Sequence, residues 1–598
     1  MPLHLVHSLG LICMKSISMR LINIEAFMKR EELMDKAWRA VTDHQTDVLK
    51  FCDETTKYAI LSHRWDDPTE ISYEEMVDLG KIGRAKRNKI RQRRGYTKIL
   101  KTCMQAKKDG YSWVWIDTCC IDKRSSAELS EAINSMYRWY ENSSVCYAYL
   151  HDVDGSFPTK KDDQEYKLNG WPEWFSRGWT LQEMVASRNV RFFDKNWKFI
   201  GDKKEHAKML QDITQVPQRI LVDGLSGNRP CVAQIISWAA NRRTTRIEDK
   251  AYSLMGLLDV NMPMLYGEGK KAFHRLQLEI IRSSDDQSIF AWCNEAKMRP
   301  GSILAEDPSF FKHCSEMELM GYDEFIKALK ENIRDLPSID RNHLGTFPIT
   351  NRGIQIWMLL RPYRNSDTDF QAWLPCRNHQ SASPATINLA LRNYNYYRYP
   401  CSMHGSPTED ALQFSQVFLR YQDAPSDNVT FEIDDSALAD NDFTCCDLHP
   451  EELKGNTLTL TGATPLCARV YSNSQGDLRF TVTFRQFFSQ GWVHATSDPT
   501  GKLSEYCNQE SVKGPESMQS MAEVPSRGER YGRIWVNHVR LHSTWIVRVS
   551  RVVWERNRIG VRVDAFKDTD FNIGLDKWRI LDVEVGGSFV VHIYSNYL

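Results

Sequence analysis

The run Trp113-Val114-Trp115-Ile116, with a helical stretch and a second apolar run at Val145–Leu150 behind it, constrains this chain more than any other feature. Four consecutive apolar residues rich in β-formers and aromatics read as a strand covered on both faces. They give way to Asp117-Thr118-Cys119-Cys120, small and polar residues suited to a strand's carboxyl end. Ser125 and Glu128 have capping-box spacing, in which each side chain satisfies the other's backbone N–H, so a helix should start there. Leu129, Ala132, Ile133, Met136, Tyr137 and Tyr140 then step by three and four residues, which lays one apolar stripe against a sheet. Glu141-Asn142-Ser143-Ser144 stops the helix before the second strand. Strand, crossover helix and strand predict a parallel, right-handed unit. Ligands of open α/β sheets sit beyond the carboxyl ends of the strands. Asp117 to Cys120 and the chain after Leu150 should therefore border one crevice, and that chain includes an aromatic loop, Trp174 to Trp179, running into a short helix that carries Glu183.

The same alternation extends to both sides. Tyr58–Ser62 reads as a strand ending in His63-Arg64-Trp65-Asp66, Tyr96–Lys108 as an amphipathic helix closed by Gly110, and Val190–Asp194 as a further strand. Met19–Phe27 reads as a short strand or arm, with a helix over Glu31–Ala40. From about Lys203 to Trp292 the pattern is helical, with helices expected over Ala233–Arg243, Glu248–Leu258 and Lys270–Ser283. Tyr266-Gly267-Glu268-Gly269-Lys270-Lys271 is not a phosphate loop, because Met264 stands where the first Gly belongs and Lys271 where the Ser or Thr belongs. Arg242, Arg243, Arg246, Glu248 and Asp249 read as a salt-bridged helix boundary. Beyond Ala296 come short runs such as Ile354–Leu360, Thr386–Leu391, Thr457–Leu460, Phe480–Phe484, Trp545–Val553 and Phe589–Tyr594, separated by turn residues, which predict a sandwich-like β-rich domain. The expected plan is a disordered extension over 1–18, an α/β core over 19–202, a helical part over 203–295, a connector over 296–345 and a β-rich domain over 346–598, with a mobile loop at Asn508–Glu529.

A chain of 598 residues with 42% hydrophobic content is more than one core normally uses. Lys plus Arg and Asp plus Glu both number 77, so no global field favours nucleic acid. Between Lys81 and Arg94 eight basic residues stand with no acidic one, which reads as a solvated loop, with a phosphate or nuclear-import patch as the alternative. The 15 cysteines include no CxxC pair, so no metal site is expected, and a reduced cytoplasmic setting fits them. No stretch is long enough to span a bilayer.

Tyr58–Trp65 (YAILSHRW), Trp113–Lys123 (WVWIDTCCIDK), Ser125–Tyr140, Ser176–Met184 (SRGWTLQEM) and the segments RTTRIEDKAYSLMGLLDV and MPMLYGEG within Arg243–Gly269 together resemble the fungal heterokaryon incompatibility (HET) domain, over about Met19 to Trp292. HET domains are in turn similar to TIR domains, so the resemblance implies a TIR-like, flavodoxin-like parallel sheet. Ala132-Ile133 matches the AI-containing helix of TIR domains, and Trp179-Thr180-Leu181-Gln182-Glu183-Met184 matches their W-C-x-x-E-L motif, with Thr for Cys and Met for Leu. In TIR members that cleave NAD+ this Glu is catalytic. The carry-over falls on Glu183, with Ser62, His63, Arg64, Trp65, Asp117, Cys119 and Trp179 as expected substrate contacts, the tryptophans or Tyr149 stacking on rings and His63 and Arg64 holding phosphates. Glu183 alternatively complements a helix dipole, Trp179 belongs to the core, and Asp117 caps a turn. A thiol nucleophile at Cys119 or Cys120 is not expected, since the sequence fixes no His beside it. The function implied is a death effector that hydrolyses NAD+ on assembly, with NAD+ as substrate and no cofactor. Its rival is a non-enzymatic module that self-associates or binds other incompatibility proteins, with the β-rich half sensing a ligand.

Overall fold

The computed structural model describes residues 19–36, 47–158 except 54 and 67, 170–293 except 226 and 228, 301–363, 369–399 except 393, 412–422, 428–451, 455–461, 466–487, 490–497, 503, 507, 534–541, 545–555, 558–567, 578–582 and 592–595. The expected extension at 1–18 and loop at 508–529 lie outside these residues.

Strands β1 (Met19–Asn23), β2 (Leu49–Cys52), β3 (Ala59–His63), β4 (Trp113–Trp115), β5 (Val145–Tyr149), β6 (Val190–Phe193) and β7 (Phe199–Asp202) form one sheet in the order β2-β1-β4-β3-β5-β6-β7. β4, β3, β5 and β6 run parallel, while β1, β2 and β7 are antiparallel additions at the edges. In chain order the parallel strands stand second, first, third, fourth, which is the doubly wound arrangement with its switch point between β3 and β5. The two strands of the expected unit are parallel, with β3 lying between them and pairing with each. All five residues of β3 are buried, as a central strand covered on both faces requires.

Helices α1 (Ile24–Lys36), α2 (Tyr73–Asp78), α3 (Arg84–Arg91), α4 (Arg94–Lys108), α5 (Ser126–Asn142) and α6 (Trp179–Ala186) accompany the sheet. α1 starts well before Glu31 because the Asn23 side chain accepts from the N–H of Ala26 (2.9 Å), capping the helix directly behind β1. α5 starts at Ser125 as expected, with its hydroxyl accepting from Glu128 N (3.2 Å). The reciprocal half of the box is absent. The Glu128 carboxylate accepts instead from Asp122 N (2.8 Å) and from Arg20, whose guanidinium lies 4.7 Å from the Phe51 ring and 4.2 Å from the Tyr73 ring. Of the predicted stripe, Ala132, Ile133, Met136 and Tyr140 are buried, and Leu129 and Tyr137 half-buried against the core. The basic stretch is helical rather than a loop. α3 holds much of it, and neighbouring elements supply carboxylates, Glu31 to Arg91 (2.8 Å) and Glu75 to Arg93 (2.8 Å).

Past β7 lie α7 (Ala207–Thr214), α8 (Gln218–Asp223), α9 (Val232–Ser237), α10 (Asp249–Tyr252), α11 (Met255–Leu258) and α12 (Lys271–Ser283). The expected salt-bridged boundary is a hydrogen-bonded one. Arg242 donates to backbone carbonyls, Arg246 lies 4.3 Å from the Tyr266 ring, and Asp249 accepts from Tyr266 Oη (3.0 Å). Glu248 accepts from Gly267 N (2.8 Å) and Gly269 N (3.0 Å), so an internal carboxylate fills the nest that a phosphate loop would offer.

Five strands, Ile354–Pro362, Asp369–Trp373, Thr386–Arg392, Asn395–Tyr399 and Gln413–Leu419, close into a barrel whose apolar side chains continue the N-terminal core. From Val429 onward a five-stranded and a four-stranded sheet enclose a second core containing Phe431, Phe484 and Val561. The β-rich half therefore holds a barrel as well as a sandwich. Buried thiols such as Cys103, Cys119, Cys146 and Cys231 are free, whereas Cys293 is disulfide-bonded. No helix among the described residues is long and apolar enough to cross a membrane.

Candidate functional site

β3 ends in Ser62 and His63, β4 runs out at Ile116-Asp117, and α6 returns toward both, so three elements converge at the sheet's switch point. α6 is seated by Gly178. Its N–H donates to Arg243 O (2.9 Å), and a Cβ there would stand 2.5 Å from Thr244 Cγ2. Arg242 and Lys203 hold the two ends of the helix. The buried Arg242 guanidinium donates to Arg177 O (2.9 Å) and Thr180 Oγ1 (3.1 Å), and burial pulls its pKa down to about 9. The buried Lys203 ammonium donates to Met184 O (3.0 Å) and Ser187 O, and burial lowers it to about 8.

This frame places Glu183 in the second turn of α6, 6% exposed. Ser62 Oγ donates to Glu183 Oε2, and Trp174 Nε1 donates in turn to Ser62 Oγ (2.8 Å). The carboxyl thus belongs to a chain of hydrogen bonds rather than to a helix dipole. Burial pushes its pKa up to about 8; the charge of Asp117 adds to the rise, while the Ser62 hydrogen bond and Arg177 oppose it. At neutral pH Glu183 is mostly the uncharged acid.

Above it, Trp65 Nε1 donates to Asp117 Oδ2 (2.7 Å). The Trp65 ring is 39% exposed, with Lys123 Nζ 3.6 Å from its centroid. His63 lies between two carboxylates, its Nδ1 3.9 Å from Asp117 Oδ1 and its Nε2 3.6 Å from Glu70 Oε2. Burial works to raise the Glu70 pKa, but His63 and Lys98 beside it outweigh that and bring it down to about 2. Both His63 ring nitrogens, Asp117 Oδ1 and Thr118 Oγ1 are enclosed with no partner at hydrogen-bond distance. Such a concentration of unsatisfied polar atoms is rare in a core and marks a place for a polar ligand or water.

The structure therefore brings Ser62 to Glu183, and His63 and Trp65 to Asp117. It does not bring the others. Arg64 turns to Glu173 (2.8 Å) and His151 (3.5 Å), and His63 is walled by carboxylates, so neither side chain faces outward for phosphates. Trp179 is half-buried and hydrogen-bonds Asp249. Tyr149 is already stacked on Trp197, with centroids 5.1 Å apart. Cys119 is fully enclosed, and its contact with Cys120 together with burial holds its thiol well above the ordinary range, which withdraws it from the contact set and leaves no thiolate. Trp174, Tyr140, Glu70, Lys98 and Arg242 were not singled out as site residues. Trp174 and Tyr140 carried a signal, as part of the aromatic loop and the α5 stripe, but nothing in sequence pairs Glu70 and Lys98 with His63. Among the described residues no group of three His, Cys, Asp or Glu is placed to hold a metal ion.

Comparison with known proteins adds independent findings. Residues 58–168 match the family model described as heterokaryon incompatibility protein (HET), and 271–298 match a domain of unknown function (DUF8212). The vegetative incompatibility protein HET-E-1 of Podospora anserina is 44% identical over 229 residues, 37% of this chain and 16% of that protein. The chain thus spans about one sixth of that relative's length. Among solved structures, a mutated form of a lectin from Xerocomus chrysenteron aligns at 15% identity over 24% of this chain and 98% of its own, with a TM-score of 0.18, too low to carry an argument. The strand-and-crossover unit built around Ser62, Asp117 and α5 falls inside the matched segment, so this chain carries a heterokaryon incompatibility (HET) domain over residues 58–168.

Proposed function

We propose that this chain acts in vegetative incompatibility, and that its TIR-like α/β domain kills the cell by hydrolysing NAD+ in the cytoplasm once chains assemble with one another or with other incompatibility proteins. The HET domain and the Podospora relative support the first half. One observation carries the second. Glu183, a single enclosed carboxyl, sits at the switch point of the parallel sheet and is hydrogen-bonded to Ser62 from a different element.

Cleaving the nicotinamide–ribose bond returns its electron pair to a cationic ring nitrogen, so the leaving group departs neutral and needs no acid. What the reaction needs is negative charge where the ribose becomes oxocarbenium-like. Glu183 is held neutral by burial, and a cationic substrate beside it favours the ionised form, so binding would discharge its proton and generate the carboxylate at the point of need. Ser62 would then hold one oxygen while the other accepts from ribose hydroxyls, and the exposed Trp65 ring offers a face for nicotinamide or adenine.

The test is NAD+ loss and nicotinamide release by the full chain at high protein concentration, beside Glu183→Gln. Loss of release in the variant, with assembly unchanged by light scattering, supports the reading. Equal release by both removes Glu183 from the centre. No release by an assembled wild type hands the function to a non-enzymatic oligomerisation module.

A further inference from the structure

We propose that Asp117 is the base that takes the proton from the water attacking C1′ of the ribose, an assignment that rests on the NAD+ reading above. Three observations carry it. Glu183 is committed to Ser62 on one oxygen and, in that reading, to the ribose hydroxyls on the other, so neither oxygen is left to receive a proton from an incoming water. Asp117 retains 19% side-chain exposure although its Oδ1 is enclosed, so its open side lies on its other atoms. Ser62, which holds Glu183, and His63, which stands 3.9 Å from Asp117, are consecutive residues at the end of β3, so the two carboxyls flank one strand end.

Asp117 is braced as a base needs to be. The Trp65 indole holds Oδ2 at 2.7 Å, and His63 stands 3.9 Å behind Oδ1. His63 is in turn backed by Glu70, which takes Asp66 N (2.7 Å) and the buried Lys98. The sequence Lys98, Glu70, His63, Asp117, Trp65 is one polar chain from α4 to the crevice mouth. His63 is a positioning residue in it, and closing its gap to Oδ1 by under an ångström would complete a hydrogen bond and fix the carboxylate plane.

The step balances as follows. One O–H bond of water breaks and its proton moves to Asp117, while the water oxygen forms the C1′–O bond. The C1′–N bond breaks and its electron pair leaves with nicotinamide, cancelling the ring's positive charge. The second hydrogen stays on the anomeric hydroxyl, and Asp117 then returns its proton to solvent, one per turnover.

An aromatic base that attacks through an unprotonated ring nitrogen has no proton to lose, and this gives the experiment. Wild type and Asp117→Asn, as full chains, are given NAD+ with or without 3-acetylpyridine, and hydrolysis product and exchanged dinucleotide are both measured. The expected result is hydrolysis down by about 10²-fold or more with exchange kept within about twofold. Equal loss of both, or loss of neither, overturns the assignment. Asp117→Ala supplies a second arm: added formate should restore hydrolysis, and no restoration counts against a base. A wild type that makes neither product overturns the NAD+ reading itself, an outcome separate from the failure of Asp117.

Discussion

The Glu183 carboxyl is buried where its type prefers water, and its cost has a definite sign. Its pKa is about 8 in the folded chain against an ordinary 4.5, so between those values the folded state binds the extra proton. Stability therefore falls as pH rises through that window, is fully present below about 4.5 and is lost through about 8. Denaturant unfolding at pH 6 and pH 9 should show wild type losing stability that Glu183→Gln retains, a difference on the order of a few kcal/mol. Lys203, lowered to about 8 by burial, titrates in both proteins and cancels in the comparison. A wild type and variant with parallel pH profiles would mean the carboxyl is solvated. The place of this residue on a short helix behind an aromatic loop was legible in the sequence. Its protonation was not, because Ser62 and Tyr140, which enclose it together with the nearby Trp174, come from elements distant in the chain.

Among the elements, α6 decides whether the site exists. It has only eight residues and would not persist alone, so its position rests on contacts from outside. Gly178→Ala drives a Cβ to within 2.5 Å of Thr244 Cγ2 and 3.2 Å of Ser253 Oγ, and should cost about 1–3 kcal/mol in chemical unfolding. Lys203→Met leaves the Met184 and Ser187 carbonyls without their donor and should cost about 1–3 kcal/mol, with loss of any NAD+ cleavage as α6 loosens. Retained stability in either variant would show that α6 is held by other means. The helix itself was readable from its sequence; the clamp was not, since no local pattern says that a lysine 16 residues beyond Ser187 returns to the carbonyls at the helix end. The basic stretch teaches the same lesson in reverse. Its charges suggested a loop, yet Glu31 and Glu75 from other helices pair with two of its arginines, Arg91 and Arg93, beside a helix that buries Ile90.

At the scale of the molecule, a large core draws on residues from Met19 to Leu419, a smaller one gathers Phe325, Leu329 and Trp373 beside it, and another begins at Val429. The helical part is bound to the barrel through Arg398 Nη2 to Trp292 O (2.7 Å), and to the segment that precedes the barrel through Trp292 Nε1 to Ile303 O (2.8 Å) and Gln277 Nε2 to Ala305 O (2.8 Å). A chain cut after residue 422 should keep a cooperative calorimetric transition matching one of the full chain, whereas a cut after residue 295 exposes Ile289, Phe290 and Trp292 and should aggregate or melt lower. A stable 295-residue fragment would show the two parts to be independent.

The sequence by itself determined what is local: the apolar runs that become strands, the Ser125 cap and stripe of α5, the motif order that carries the HET resemblance, and the placement of Glu183 on a short helix after the aromatic loop. Periodicity and capping act over a few residues, so they can be read along the chain. Only the tertiary structure decided the insertion of β3 between β4 and β5, the pairing of Ser62 with Glu183, the bracing of Asp117 by Trp65 with His63 behind it, and the joining of barrel to helical core. Each is a contact between residues dozens of positions apart, set by the packing of whole elements, and no spacing rule encodes it.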